Sequence, residues 1–415
     1  MAIELDDLKM TFESWMYLKD HCALDVVLGC VVANTQLEGD PINLYLVAPP
    51  SSGKTEILRA VAEHPKVFSL SNLTPTTLIS GHKSKDGKNH SLLLKLNNWG
   101  KEIIILKDFT TVLELRRESR QEILSQIREI SDGYLSKSFG NDQDIAWSGR
   151  LAIIAGVTPV IDRHHSLSQI LGERFITYRM GSDDTRRMAT MAQKVAGKEK
   201  AMRRELGQMT KDFLQQFKKV KLEDIQISDP IREKLLSLSC FIAESRTAVL
   251  RDQYTREVDF VPEFEGPARL IKQLFGLGCG IAIIQSKREI DLDIYDILKK
   301  IGLDCLPSHR KLIISKMWLK KIRGDYLEKT RKIAGFLNYP VPTVKLHLED
   351  LMILRLVDRT NEDDHPGETT PYLWKLSDHC CDLLLETELF GLEDGNAQDD
   401  EELNTECSGV TAGVA

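Results

Sequence analysis

"LYLVAPPSSGKTEIL", residues 44–58, decides the fold. A short β-rich apolar stretch runs through a Pro/Ser/Gly loop into an amphipathic stretch, the order strand, loop, helix. Ala48 to Thr55 match the phosphate-loop pattern at its second glycine, its lysine and its hydroxyl, which are Gly53, Lys54 and Thr55; Ala48 stands where the first glycine is usual. In such a loop backbone N–H groups and the following helix N-terminus face the phosphates, Lys54 neutralises the β/γ oxygens and the Thr55 hydroxyl holds magnesium. The expected cofactors are ATP and Mg2+. The residues expected to hold the nucleotide are Ala48, Pro49, Pro50, Ser51, Ser52, Gly53, Lys54, Thr55 and Glu56.

Outward from the loop, "NLYLVA", "VFSLSNL", "EIIIL", "RLAIIAGV" and "RFITYRM" alternate with loops and with helical stretches such as "RQEILSQIREI". That alternation predicts a largely parallel sheet covered on both faces. The preceding residues 5–36 predict two helices packed on the flank of the sheet. After Thr185 the strand signal ends. Helices are expected over "RRMATMAQKVAGKEKAMRRELGQMTKDFLQQF", over a stretch with Asp229 as N-cap and Pro230 at the first helical position, and over "EGPARLIKQLFGLGCGIAIIQSKR". From residue 307 three helical patterns lead into "LVDRT", a polar turn "NEDDHPGETTP" and "YLWKLS", the order of a winged helix-turn-helix. The acidic end, poor in aromatics, is expected to be a disordered tail.

The bulk properties fit this organisation. The 415 residues exceed one typical domain, and 42% hydrophobic with 28% charged residues is ordinary for a globular protein. A net charge of −7 points to no partner by itself. No apolar run reaches membrane-span length and no secretory leader is visible, so a cytoplasmic location and no membrane partner are expected. The eight cysteines are scattered without metal-ligand spacing, which suits reduced thiols.

Three later stretches carry a resemblance. "IILKDFTTVL" has the place of an acid-acid-phenylalanine strand end, "DGYLSKSFGNDQDIAWSGR" looks like a hairpin inserted before the next strand, and "LAIIAGVTP" like a sensor strand. With "LGERF" and "GPARLIKQL", the chain resembles the AAA+ ATPases, in particular their minichromosome-maintenance-like, helicase-type branch, and looks similar to phage and mobile-element ATPases. The resemblance spans roughly residues 40–305 and rests on order and spacing. It implies an α/β fold: an AAA+ parallel-sheet ATPase core with an all-helical lid domain and a C-terminal winged helix-turn-helix. The expected boundaries are 1–182 for N-terminal helices plus core, 183–306 for the lid, 307–386 for the winged helix and 387–415 for the tail. It also implies Thr158 as the polar sensor, Arg174 as a finger reaching a neighbour's γ-phosphate, Arg269 over the bound nucleotide, and a ring or spiral, usually of six subunits, in which self is the partner. Arg163 and Arg179 are alternative fingers. Arginine suits these tasks because its fork is always charged.

The acid strand departs from that pattern. Four apolar residues, Ile103 to Leu106, put the usual magnesium acid at Lys107 and the usual water-activating glutamate at Asp108. Either Asp108 holds the metal through a water, with Lys107 turned away, or Asp108 polarises the attacking water while Thr55 and the phosphates carry the metal. Aspartate is one methylene shorter than glutamate, so hydrolysis is expected to be slow.

DNA is the expected partner. Tyr134 and Lys137 in "GYLSKSFG", and the loop of residues 80–90, combine charge with aromatic faces as a strand tracker needs. Residues 309–332 gather nine lysines and arginines, among them Lys329, Arg331 and Lys332, a phosphate footprint on an otherwise acidic chain. The presumed recognition helix is expected to expose Thr343, Lys345 and His347. A helicase-like motor, loader or initiator is the leading function. A protein remodeller or transcriptional regulator that docks a protein partner through the winged helix is the alternative, and a slow nucleotide switch a third.

Overall fold

The structure is a computed structural model and describes residues 2–81, 91–140, 143–164, 174–181, 184–252, 254–361 and 372–390. Helices α1 (Leu5–Trp15) and α2 (Cys22–Gln36) come first. Then follow β1 (Asn43–Val47), α3 (Lys54–Ala62), β2 (Val67–Leu70), α4 (Leu92–Asn98), β3 (Ile103–Leu106), the short α5 (Thr110–Leu113) and α6 (Arg117–Ser131). The antiparallel hairpin of β4 (Tyr134–Phe139) and β5 (Gln143–Ser148) precedes β6 (Ala152–Val157) and β7 (Phe175–Arg179).

Five of these strands form one parallel sheet in the order β2-β3-β6-β1-β7. Every residue of β1, β3 and β6 is buried, which is why these strands read as unbroken apolar runs. Alternate side chains still part to opposite faces. Leu44, Leu46, Ile103, Ile105 and Ile154 join the core beneath α2 and α3, while Tyr45, Val47, Ile104, Leu106 and Ile153 join a second core with α4 and α6. On that second face Tyr45 stacks on Phe175 at 4.1 Å between ring centroids.

The next stretch is helical: α7 (Thr185–Val195), α8 (Glu199–Gln215), α9 (Asp229–Arg246), α10 (Ala268–Ile284) and α11 (Leu292–Asp304). Its only strands among the described residues are the two-residue partners β8 (Gln226–Ile227) and β9 (Glu289–Ile290). Gly197 at φ +83° breaks what reads as one helix into α7 and α8. The cap of α9 is Ser228, one residue earlier than expected, and the Asp229 carboxylate instead pairs with Arg232 at 2.7 Å. The N-terminal helices are also more than a flank. Ala23 to Thr35 of α2 are buried all round, because α2 lies against both β1 and α10. A Cβ on Gly280 of α10 would collide with the carbonyl of Gly29, so these two backbones touch.

The last unit has α12 (Ser308–Leu319), β10 (Glu328–Lys329), α13 (Thr330–Leu337), α14 (Val341–Ile353), β11 (Val357–Asn361), β12 (Tyr372–Leu376) and α15 (Asp378–Thr387). The three helices and the hairpin stand in the expected order. Two elements were not expected: β10, which makes the sheet three-stranded in the order β10-β12-β11, and α15, capped by the Ser377 hydroxyl accepting from Cys380 N at 3.1 Å. Ordered packing also runs past the boundary expected for the tail. Leu389 is buried and Glu388 pairs with Lys234 at 2.7 Å. The remainder of that tail, and the wing turn of residues 362–371, lie outside the described residues. Among the described residues the cysteines are free, and no helix is long and apolar enough to cross a membrane.

Candidate functional site

The sheet order sets the site. β1 lies between β6 and β7, so the loop after Val47 opens beside the carboxyl end of β6, with that of β3 one strand further. Open parallel sheets bind ligands at such carboxyl ends.

Within the loop, Ser51 at φ +64° and Gly53 at φ +85° turn the chain sharply into α3, which begins at Lys54. A side chain at Gly53 would meet only the flexible end of Met16, so it is the left-handed backbone that calls for glycine here. Ser52 Oγ is buried with no hydrogen-bond partner among the described residues, an orphan that an anion in the loop would satisfy. Lys54 is only 7% exposed, and its Nζ donates to Ala48 O at 3.2 Å and Val157 O at 2.6 Å. Burial pulls its pKa below the ordinary lysine value, and the Asp108 carboxylate offsets part of that shift. Ala48 is buried and donates its N–H to Val157 O at 3.1 Å, binding the loop to β6.

The turn after β3 is fixed against β6 as well. Phe109 N donates to Gly156 O at 2.8 Å, and a Cβ on Gly156 would meet Lys107 O at 2.7 Å. Asp108 Oδ1 accepts from Thr110 N at 3.0 Å. Thr158 N donates to Thr110 Oγ1 at 3.1 Å, and the two threonine hydroxyls are 3.2 Å apart. Pro49 to Glu56, Lys107, Asp108 and Thr158 thereby line one cavity of about 490 Å³. Lys107 is among the residues that line it. Glu56 lines the cavity too, but its carboxylate is occupied by Arg203, with both contacts at 3.0 Å, and by Arg59 at 3.1 Å.

The remaining walls are apolar: Trp15 at the end of α1, Met16 and Tyr17 after it, Met188, Ala192 and Val195 of α7, and Met202 of α8. Sequence reasoning missed these. The run "SWMY" at a helix end was the available signal, whereas nothing in the sequence connects α7 to the loop. The chemistry suits a ligand with a polyanionic end and a flat apolar end. The residues present fit a nucleoside triphosphate. For a divalent cation the protein offers the Thr55 hydroxyl and one carboxylate, Asp108, with Lys107 lining the same cavity, so the phosphates and water would have to supply the remaining ligands.

Arg269 corrects the expectation made for it. It does not lie over the loop. α10 packs along α2, and this carries the start of α10 to the amino end of the sheet, where Arg269 and Arg174 line a second cavity of about 580 Å³. Arg174 precedes β7, whose first residue is in register with Asn43 at the start of β1. The loop therefore begins about 13 Å further along β1, at ~3.3 Å per residue. Arg174 is buried and held by Asp132, Nε–Oδ1 3.1 Å and Nη2–Oδ2 2.6 Å, while Arg269 Nη2 lies 3.5 Å from Asp132 Oδ1. Gln273 donates to Arg174 O at 2.7 Å. Neither Asp132 nor Gln273 was singled out from sequence. Of the alternative fingers, Arg179 is committed to Asp162 at 2.7 Å.

The candidate nucleic-acid residues divide. Tyr134 is 56% exposed on the hairpin, and Lys137 pairs with Glu122 at 2.5 Å and covers the Phe139 ring. The loop of residues 80–90 is largely outside the described residues. Lys329, Arg331 and Lys332 are exposed, with Lys332 at 2.8 Å from Glu328. The footprint is smaller than expected, because Arg310 and Lys316 are buried, Arg310 donating to Ser245 O and Thr247 O, and Lys311 reaches Asp304 at 3.2 Å. On α14 Lys345 is exposed and Thr343 half-buried. His347 is the correction: it packs against His309 at 4.8 Å, and burial pushes its pKa down to about 4, so it is a neutral packed ring and not an exposed contact.

No family model matches the chain, and no curated protein matches it. Among solved structures it is similar to a candidate ATPase of Cytophaga hutchinsonii, at 11% identity over 73% of this chain and 85% of that one, with a TM-score of 0.42. It is also similar to the ORC1 protein of Aeropyrum pernix in complex with DNA, at 14% identity over 90% and 94%, with a TM-score of 0.30.

Proposed function

We propose that this chain is an ATP-binding AAA+ protein that hydrolyses ATP slowly and acts on DNA. The observation that carries the proposal is the single cavity at the carboxyl ends of β1, β6 and β3, where Ser52, Lys54 and Thr55 face Asp108 and Thr158. Ser52 to Thr55 take the phosphates. Asp108 accepts a proton from the attacking water as it adds to the γ-phosphorus, ADP leaves, and Thr158 orients the water. The apolar wall of Trp15, Met16, Tyr17 and Met188 takes the base.

Arg174 and Arg269 serve a neighbour's nucleotide, since both stand at the amino end of the sheet, away from their own loop. That favours a ring or spiral of copies and agrees with the helicase-type branch, with residues 183–306 as the lid and 307–386 as a winged helix. Lys329, Arg331 and Lys332, with Tyr134 and Lys137 of the hairpin, supply the contacts to DNA. A nucleotide switch with scarce turnover is the second reading, favoured by Lys107 in the cavity. The test of nucleotide binding is ATP titration of the full chain beside Lys54→Ala. Saturable binding lost in Lys54→Ala is expected, and equal binding by the variant overturns the proposal.

A further inference from the structure

Lys107 lies in the triphosphate cavity, and three features make that position a built one. First, the backbone on both sides of it is pinned. Gly156 leaves no room for a Cβ against Lys107 O, Phe109 N is bonded to Gly156 O, and the Phe109 ring is buried. The backbone that carries the lysine is therefore fixed against β6 at the mouth of the cavity. Secondly, the amine has no hydrogen bond or ion pair with any described residue, although the side chain is half-buried. An anion arriving in the cavity offers that amine a partner.

Thirdly, the charges of the cavity sum the opposite way from a metal site. Its charged side chains are Lys54, Lys107, Asp108 and Glu56. The Glu56 carboxylate is satisfied by Arg203 and Arg59, outside the cavity lining. Two lysines and one uncommitted carboxylate thus line the cavity, with the N-terminus of α3 adding positive potential. Two carboxylates at the end of β3 would leave the phosphates dependent on a divalent cation. One carboxylate and one ammonium do not. Among the described residues no group of three or more His, Cys, Asp or Glu side chains is arranged to hold a metal ion.

We propose that Lys107 is the counter-ion of the triphosphate, standing where a protein-held magnesium would otherwise stand, so that the ligand of this cavity is the metal-free nucleoside triphosphate. The proposal rests on the assignment of the cavity to ATP. Lys107 and Lys54 neutralise the phosphate oxygens from two sides. Asp108 is left to the water and is not shared with a metal.

The experiment is equilibrium titration of the full chain with ATP, once in magnesium and once in EDTA, for the wild type, Lys107→Ala, Lys107→Asp and Lys54→Ala, with thermal melts to verify folding. The wild type is expected to bind within about threefold in the two buffers, and Lys107→Ala to lose about tenfold in EDTA but less in magnesium, as loss of one phosphate contact implies. Lys107→Asp is expected to bind at least about tenfold tighter in magnesium than in EDTA. A wild type that weakens about tenfold or more in EDTA overturns the counter-ion, as does a Lys107→Ala variant with the wild-type ratio between buffers. Absence of wild-type binding in both buffers, or a Lys54→Ala variant that binds normally, instead removes the cavity as the ATP site. If Lys107→Asp does not fold, Lys107→Ala and the wild-type ratio decide.

Discussion

Asp132 grips Arg174 through both carboxylate oxygens, at 3.1 and 2.6 Å, and so fixes the guanidinium at the amino end of the sheet, away from the loop of its own chain. An arginine in that place cannot serve the nucleotide bound beside Lys54. Arg174→Ala is therefore expected to bind ATP normally and to lose turnover about 10³-fold, the range of a transferred finger. Mixing it with Lys54→Ala subunits should restore part of the activity, because each variant supplies what the other lacks. Turnover that survives in Arg174→Ala contradicts the role.

Gly280 bears on stability alone. Its missing side chain lets α10 rest on the backbone of Gly29 in α2, with no flexible neighbour able to yield. Gly280→Val should destabilise the chain by about 3 kcal/mol, at the upper end of ordinary overpacking, and thermal unfolding measures it. Gly140, which has open space around its missing Cβ, is the matched control: Gly140→Ala should melt close to wild type.

His347 gives a pH dependence. Burial, and then the positive charge of His309, Arg310 and Arg251, pushes it down to about 4, while an unfolded histidine takes its proton near 6.5. Between those values the unfolded chain binds more protons, so stability is complete above about pH 6.5 and falls as pH drops toward about 4. Asp350, whose pKa burial raises, faces the ring at 3.9 Å and moderates the effect. His64, also held down to about 4, adds to the same window. Stability should decline from pH 6.5 to 5 by about 1–2 kcal/mol per histidine, read as a falling melting temperature, and His347→Gln should flatten the decline.

Charge reversal of Lys329, Arg331 and Lys332 together should weaken DNA binding and flatten its dependence on salt, since each phosphate contact contributes to that slope. Fluorescence anisotropy with single- and double-stranded DNA measures both. Unchanged binding moves the DNA contact away from α13.

Much of the sheet was legible because parallel strands buried on both faces leave short apolar runs between turn residues. "EIIIL" and "RLAIIAGV" could hardly be anything else. The strand–loop–helix turn was legible because Gly53 and Lys54 mark the point where β1 passes into α3. What stayed hidden depends on distant parts of the chain meeting. Arg269 was assigned by its place in a helix, but that helix packs where Gly29 and Gly280 meet, two residues far apart in the sequence. His347 looked exposed because its partner His309 is on another helix. The apolar wall that α7 gives the cavity carries no motif at all, since any methionine or valine of suitable size would serve.

The most direct test of the account is steady-state ATP hydrolysis by the full chain, alone and with DNA, beside Asp108→Asn and an ATP-binding control. Slow turnover that vanishes in Asp108→Asn while binding persists is the expected result. Turnover unchanged by that substitution would contradict the assignment of Asp108 as the group that takes the proton from water.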